Sequence, residues 1–240
     1  MSRPLLLGPD PASPFPPAEW ALDEPDGLVC IGGDLSSTRL VNAYAAGMFP
    51  WFSVGQPILW WSPSTRLVFR SDGVRLSRRF RRGLRASPWE VRFDTAFDAV
   101  VEACADTPRA GASGTWITPA MRRAYAQLHR LGHAHSVEVW DGARLVGGLY
   151  GVTVGRAFHA ESMVSLESGG SKVALAGLGR HLAARGWPHF DAQIENPHLR
   201  FMGGETWPRA RFLAEFRPRT AGLEPCHDWM GPPYPAASLG

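Results

Sequence analysis

The sequence predicts an α+β fold in two parts. Three features point to it. The chain has 240 residues, 45% hydrophobic and 20% charged, which is the balance of a folded protein with a sizeable core. Up to about Ser64 it is rich in Pro, Gly and aromatic residues, with little regular periodicity. From Thr65 onward, short period-two runs follow one another, then a helical pattern, then another short run. The predicted division is 1–64, a small aromatic-rich N-terminal domain, and 65–240, a larger second domain.

The first stretch, to about Asp34, reads as turns because of its Pro, Gly and Asp content. A short helix follows. Ser36 or Ser37 caps it, Leu40, Val41 and Tyr44 form its apolar face, and Gly47 sits where a C-terminal glycine belongs. MFPWFSVGQPILWWSPSTRLVFR, with Trp51, Trp60 and Trp61, is too apolar for an exposed loop, and Pro50, Pro57 and Pro63 interrupt it. Arg66 to Arg70 reads as a strand and Asp94 to Ala105 as a helix. Thr118-Pro119 marks another helix start, with Met121, Tyr125 and Leu128 on one face. His135 to Trp140 and Leu145 to Val154 form a hairpin about Asp141-Gly142, and a strand near Ala157 to Ser165 completes a meander. A helix from Ser171 to about Ala184 ends at Gly186. Phe190 to Ile194 reads as a strand, with short helices at Pro197 to Met202 and Pro208 to Phe216, then an irregular tail. Strands in a meander, then helix, then strand suit an acyltransferase-type α+β layout.

Charge and cysteine content narrow the setting. Lys plus Arg number 25 and Asp plus Glu 22, for a net charge of +3, so composition argues against disorder. No run approaches the ~20 apolar residues of a membrane span. The N-terminus is too proline-rich for a secretory signal. Cys30, Cys104 and Cys226 are odd in number and widely spaced, which fits a reducing cytoplasm. Histidines and cysteines show no metal-ligand spacing, so no metal is expected. The near-neutral balance hides a local excess: Arg75, Arg78, Arg79, Arg81, Arg82 and Arg85 lie within eleven positions. That is a solvated face or a polyanion contact. Lys172 is the chain's one lysine, and ten residues are Trp.

Polar residues on strands need a reason. In HFDAQIE, period two puts Asp191 and Gln193 on one face. In AFHAESMVS it groups His159, Glu161, Met163 and Ser165. Such groups lie in solvent at strand ends, or line a polar cavity that positions an amine for acyl transfer. LESGGSK before Ser171 reads as a tight turn or a phosphate cradle.

Taken together, GLVCIGGDLSSTRLVNAYAAGMFPWF, QPILWWSPSTR, GTWITPAMRRAYAQLHRLGHAHSVEVW, LVGGLYGV, FHAESMVS and FDAQIENPHLRFMGGE resemble the bacterial leucyl/phenylalanyl-tRNA–protein transferases, in the same order and over most of the chain. The resemblance implies a GNAT-like second domain and transfer of Leu or Phe, and less well Met, from aminoacyl-tRNA to an N-terminal Arg or Lys. The product is marked for N-degron degradation. It implies aminoacyl-tRNA as substrate, no cofactor, and a cytoplasmic monomer. By motif, Asp191, Gln193 and Glu161 take the catalytic positions, Asp191 supporting Gln193. Tyr44, Trp51, Trp116, Tyr125, Phe158 and Met163 take those of the aminoacyl pocket, with Trp51 and Trp116 for the terminal adenosine. The Arg75–Arg85 cluster gains the tRNA acceptor stem as its partner. Ala192 and Ala160 depart from the usual pattern, as do Leu178 and Leu182. The alternatives are an acetyl-CoA-dependent N-acetyltransferase and a tRNA-binding module without enzymatic activity.

Overall fold

The computed structural model describes residues 3–107 and 115–240. Two sheets organise them. The smaller holds β1 (Leu5–Leu7), β2 (Leu28–Gly32), β3 (Phe49–Pro50) and β4 (Leu59–Trp61), in the order β1-β2-β4-β3. The larger holds β5 (Thr65–Arg70), β6 (Glu90–Phe93), β7 (Ala134–Asp141), β8 (Arg144–Val154), β9 (Ala157–Ser165), β10 (His189–Asp191), β11 (Glu205–Pro208) and β12 (Tyr234–Pro235). Their order is β11-β5-β10-β9-β8-β7-β6-β12. The α+β class read from the sequence is therefore correct.

Helix α5 (Gly170–Ala184) covers one face of the larger sheet, packing on Leu67, Phe69, Val137, Val139, Leu149 and Phe190. The other face is covered by α1 (Ser37–Ala45), α3 (Phe97–Asp106), α4 (Pro119–Arg130) and α7 (Arg209–Thr220), over Val68, Tyr150, Val152 and Val154. Each large apolar side chain so enclosed contributes about 1.5–3 kcal/mol. Local chemistry starts the helices where the sequence indicates. Ser36 Oγ accepts the Arg39 N–H of α1, and Thr118 Oγ1 accepts the Met121 N–H of α4, with Pro119 as the first helical residue.

Five expectations give way to longer-range demands. The first stretch is not all turns: β2 runs inside it, with the apolar Leu28, Val29 and Cys30 buried. The buried Arg39 gathers that stretch, donating to the carbonyls of Gly8 and Asp10 and pairing with Asp34. Helix α3 begins at Phe97 rather than Asp94, because Asp94, at φ 53°, turns its carboxylate to the Ser136 N–H. Ser171 does not cap α5. It lies inside the helix, its N–H donates to Ser165 Oγ, and Gly169 at φ 97° starts the turn.

The last two corrections shape the site. The strand expected at Phe190 to Ile194 stops at Asp191, since Gln193 takes φ 60°, outside any strand geometry. In β9, Tyr150 pairs with Ser162 but Gly151 with Ala160, so Glu161 is an extra, bulged residue. The bulge reverses the facing of the rest of the strand. His159 and Glu161 face α1 and α7, whereas Met163 and Ser165 turn to the α5 side. β9 and β10 pair in parallel only at His159 and Asp191 and then part.

Candidate active site

Asp191 closes the last rung of β10 and is fully enclosed. Its carboxylate accepts Arg66 Nε at 3.1 Å, a second short contact from Arg66 Nη2, and the Gln193 backbone N–H at 2.8 Å. His159 Nδ1 lies 2.9 Å from Oδ2. Burial by itself raises this carboxyl. The Arg66 charge and the bonds from His159 and Arg66 outweigh burial and hold it at about 2. Arg66 has no solvent either. It donates to the Gly47 carbonyl at 2.8 Å and lies 4.2 Å from the centre of the Phe212 ring. An ion pair this deep is costly to break, on the order of 3–5 kcal/mol for loss of one partner.

Glu161 is the second centre. Tyr44 Oη donates to Oε1 at 2.8 Å, Tyr125 Oη to Oε2 at 2.6 Å, and Gln193 Nε2 to Oε1 at 2.6 Å. The two tyrosine hydroxyls are 3.0 Å apart. Burial pushes the Glu161 carboxyl up to about 7, against the three donors that favour its charged form. Burial, with Glu161 close by, also raises Tyr44 and Tyr125 well above the ordinary phenol value, so both remain donors. All three donors to Glu161 are uncharged, and no cation pairs with it among the described residues. Gln193 spends its amide nitrogen on Glu161, and its side-chain oxygen has no partner among the described residues.

Two cavities open where β9 and β10 part. One, of about 230 Å³, is lined by Phe49, Pro50, Trp51, Trp116, Glu161, Ala192, Gln193 and Ile194. The other, of about 70 Å³, is mostly apolar and lies against Leu149, Ala160, Met163, Leu175 and Leu199. Glu161 and Ala192 belong to both walls.

The residues named from the sequence are thus sorted by position. Glu161, Gln193, Trp51 and Trp116 meet at the wider cavity and Met163 at the apolar one. Tyr44 and Tyr125 line neither. They are buried behind Glu161 as its donors, a different placement from the pocket wall expected of them. Phe158 is also absent from both walls. It stacks on Trp229 at 5.2 Å in the core on the α5 side. Asp191 lines neither cavity and meets Gln193 at the backbone. Arg75, Arg78, Arg79, Arg81, Arg82 and Arg85 are all exposed on and beside α2 (Arg78–Leu84), and none enters an ion pair among the described residues.

Sequence reasoning missed Arg66 and did not single out Leu149, Leu175 or Leu199. An arginine inside an apolar strand was the signal for Arg66, because a buried cation needs a counter-charge. Away from the site, Asp94, His129 and His135 converge, although no spacing announced them. Three of the four ring nitrogens are engaged: His135 bonds Asp94 and the Gly132 carbonyl, and His129 Nδ1 bonds the Ala134 carbonyl. Asp94 and His135 are hydrogen-bonded to each other, while His129 stands 4.0 Å from Asp94.

Comparison with known proteins adds a lineage. Residues 68–217 match the family model described as leucyl/phenylalanyl-tRNA protein transferase, and residues 33–64 match the model of that protein's N-terminal domain. A leucyl/phenylalanyl-tRNA–protein transferase of Xanthomonas euvesicatoria is 63% identical over 227 residues, covering 95% of this chain and 91% of its own. One from Xanthomonas axonopodis is 59% identical, covering 99% and 96%. One from Xylella fastidiosa is 59% identical, covering 90% and 89%.

Proposed function

The chain belongs to the leucyl/phenylalanyl-tRNA–protein transferase family, and we propose that the paired cavities are where it moves Leu or Phe, and less well Met, from aminoacyl-tRNA to the N-terminal Arg or Lys of an acceptor protein. The observation that carries the reading is the shared wall of Glu161 and Ala192. The apolar cavity takes the aminoacyl side chain, against Leu149, Met163 and Leu175. Trp51 and Trp116 offer ring faces to the terminal adenosine. The ester carbonyl then lies between, beside Ala192 and within reach of Gln193.

The acceptor supplies what Glu161 lacks among the described residues. A carboxylate with three neutral donors and no cation there is completed by the positive charge of an N-terminal Arg or Lys residue. The amide of Gln193, fixed through Nε2, presents its oxygen to an N–H of the attacking α-amine. That contact turns the nitrogen lone pair toward the ester carbon. The C–N bond forms, the C–O bond to the ribose breaks, and the amine's proton ends on the released ribose hydroxyl. The ester is already activated, so the reaction balances with aminoacyl-tRNA as substrate and calls for no metal or cofactor. Asp191 acts indirectly: held ionised by Arg66, it pins the Gln193 backbone at its positive φ.

The remaining readings share that premise. The β7–β8–β9 meander, α5 and the parallel β10 support a GNAT-like second domain, 65–240, with 1–64 contributing Tyr44 and Trp51. The arginines of and beside α2 face the tRNA acceptor stem, and the protein works as a cytoplasmic monomer on substrates bound for N-degron degradation. The test is transfer itself. Labelled leucyl-tRNA and a peptide beginning with Arg are expected to give leucylated peptide. Label entering only from acetyl-CoA, or tRNA binding with no transfer, overturns the reading.

A further inference from the structure

Beside the basic helix lies a cavity that the transfer reaction leaves unused. It has a volume of about 480 Å³, and its walls include Ser77, Arg79, Phe80, Ser87, Trp89 and Lys172. Phe80 and Trp89 are half-buried, so each keeps part of its ring surface open. Lys172 Nζ stands 5.4 Å from the centre of the Phe80 ring. Neither Arg79 nor Lys172 enters an ion pair among the described residues, and no acidic side chain lines the cavity. Ser77 and Ser87 accept backbone N–H groups through Oγ at 3.2 Å each, which leaves their hydroxyl hydrogens free to donate.

This cavity adjoins the aminoacyl cavity. Lys172 and Leu175 are three residues apart on α5, hence neighbours on one flank, and Leu175 lines the apolar cavity. α6 (Pro197–Phe201) bridges the same gap: Leu199 lines the apolar cavity, while Lys172 lies close enough to His198 to help lower its pKa, after burial.

We propose that this cavity seats an unpaired nucleotide of the aminoacyl-tRNA 3′ tail, its base against Trp89 and Phe80 and its phosphate on Arg79 and Lys172. The proposal rests on the aminoacyl-transfer reading above. Aromatic faces with cations and no carboxylate suit single-stranded nucleic acid, since every base stacks and every phosphate pairs. An acceptor N-terminus, itself cationic, is repelled by the same two side chains. The tail leaving the terminal adenosine therefore meets a second grip before the duplex reaches the exposed arginines of α2.

Two RNAs test it: an acceptor-stem minihelix with the unpaired 3′ tail, and the same stem cut blunt. Trp89→Ala is expected to weaken binding of the tailed RNA about tenfold and to leave the blunt one unchanged. Trp89→Phe keeps a stacking face and should restore most of the loss, which separates stacking from misfolding. Lys172→Gln should weaken the tailed RNA and reduce its salt slope by about one. Arg78→Ala, on the duplex side, should weaken both RNAs. Equal losses on both RNAs in Trp89→Ala, or no loss on either, overturns the proposal. Leucine transfer by the unaltered protein tests the reaction separately, because the binding comparison involves no transfer.

Discussion

The fully enclosed Asp191 and the half-buried Glu161 are carboxyls held in opposite states by their neighbours. Asp191 has Arg66 against it and stays charged; among the described residues Glu161 has only neutral donors, and it is poised at about 7. Their contributions to stability have opposite signs. That of Asp191 is present above its ordinary 3.8 and is lost as pH falls toward about 2. That of Glu161 is present below its ordinary 4.5 and is lost as pH rises through about 7. The proposed transfer uses the charged form of Glu161, so it should fall as pH drops through about 7. The acceptor's α-amine, with an ordinary pKa of about 7.7–8.0, adds a second ionisation. Glu161→Gln is expected to lower kcat/KM about 10–100-fold and to abolish the lower ionisation. A pH–rate profile of that variant retaining both ionisations contradicts the role. The sequence identified both acids by motif, but their opposite states come from Arg66, which lies 125 positions from Asp191.

At the level of elements, the site exists because two strands fail to continue. β10 ends at Asp191, and β9 carries the Glu161 bulge, so the parallel pair opens into the two cavities. Gly151, opposite the slip, has no room for a side chain. A Cβ there would meet the His159 carbonyl oxygen and the Phe158 ring. Gly151→Ala should therefore cost about 1–3 kcal/mol by overpacking and lower kcat/KM as His159 and Glu161 shift. Gly142→Ala, at a hairpin turn with open space around it, should leave kcat/KM unchanged. Urea unfolding and steady-state kinetics on the two variants make the comparison. Period-two alternation placed β9 and β10 correctly in outline. It failed at Glu161 and Gln193, because a bulge and a positive φ are imposed by partner strands and leave no periodic trace.

Across the whole molecule, the two sheets share one centre. Tyr44, from the α1 region, bonds Glu161, and Gly47 accepts from Arg66. Arg209 ties the Pro63 and Ala18 carbonyls to α7, and Arg217 pairs with Glu19. The charge distribution is just as uneven as the sequence indicated. A net +3 conceals six exposed arginines with no acidic partners among the described residues. Arg78→Ala with Arg82→Ala should weaken tRNA binding and flatten its log–log salt dependence by roughly 1.4–1.8, at about 0.7–0.9 per phosphate lost. Melting temperature should hold, since both side chains are exposed. An unchanged slope would reduce the cluster to a solvated face.

The sequence by itself determined the α+β class, helix starts at Thr118 and at Ser36 or Ser37, and the arginine cluster, and it singled out Asp191, Gln193 and Glu161 as candidates. Each is set by local chemistry or by a contiguous motif. Only the tertiary structure decided what those residues face. It buried Tyr44 and Tyr125 behind Glu161, sent Phe158 to the far core, and set Arg66 against Asp191. It also joined an apolar cavity to an aromatic one across Ala192. The reason is physical. Burial, bulges and ion pairs are relations between segments distant in the chain, and no residue carries them alone.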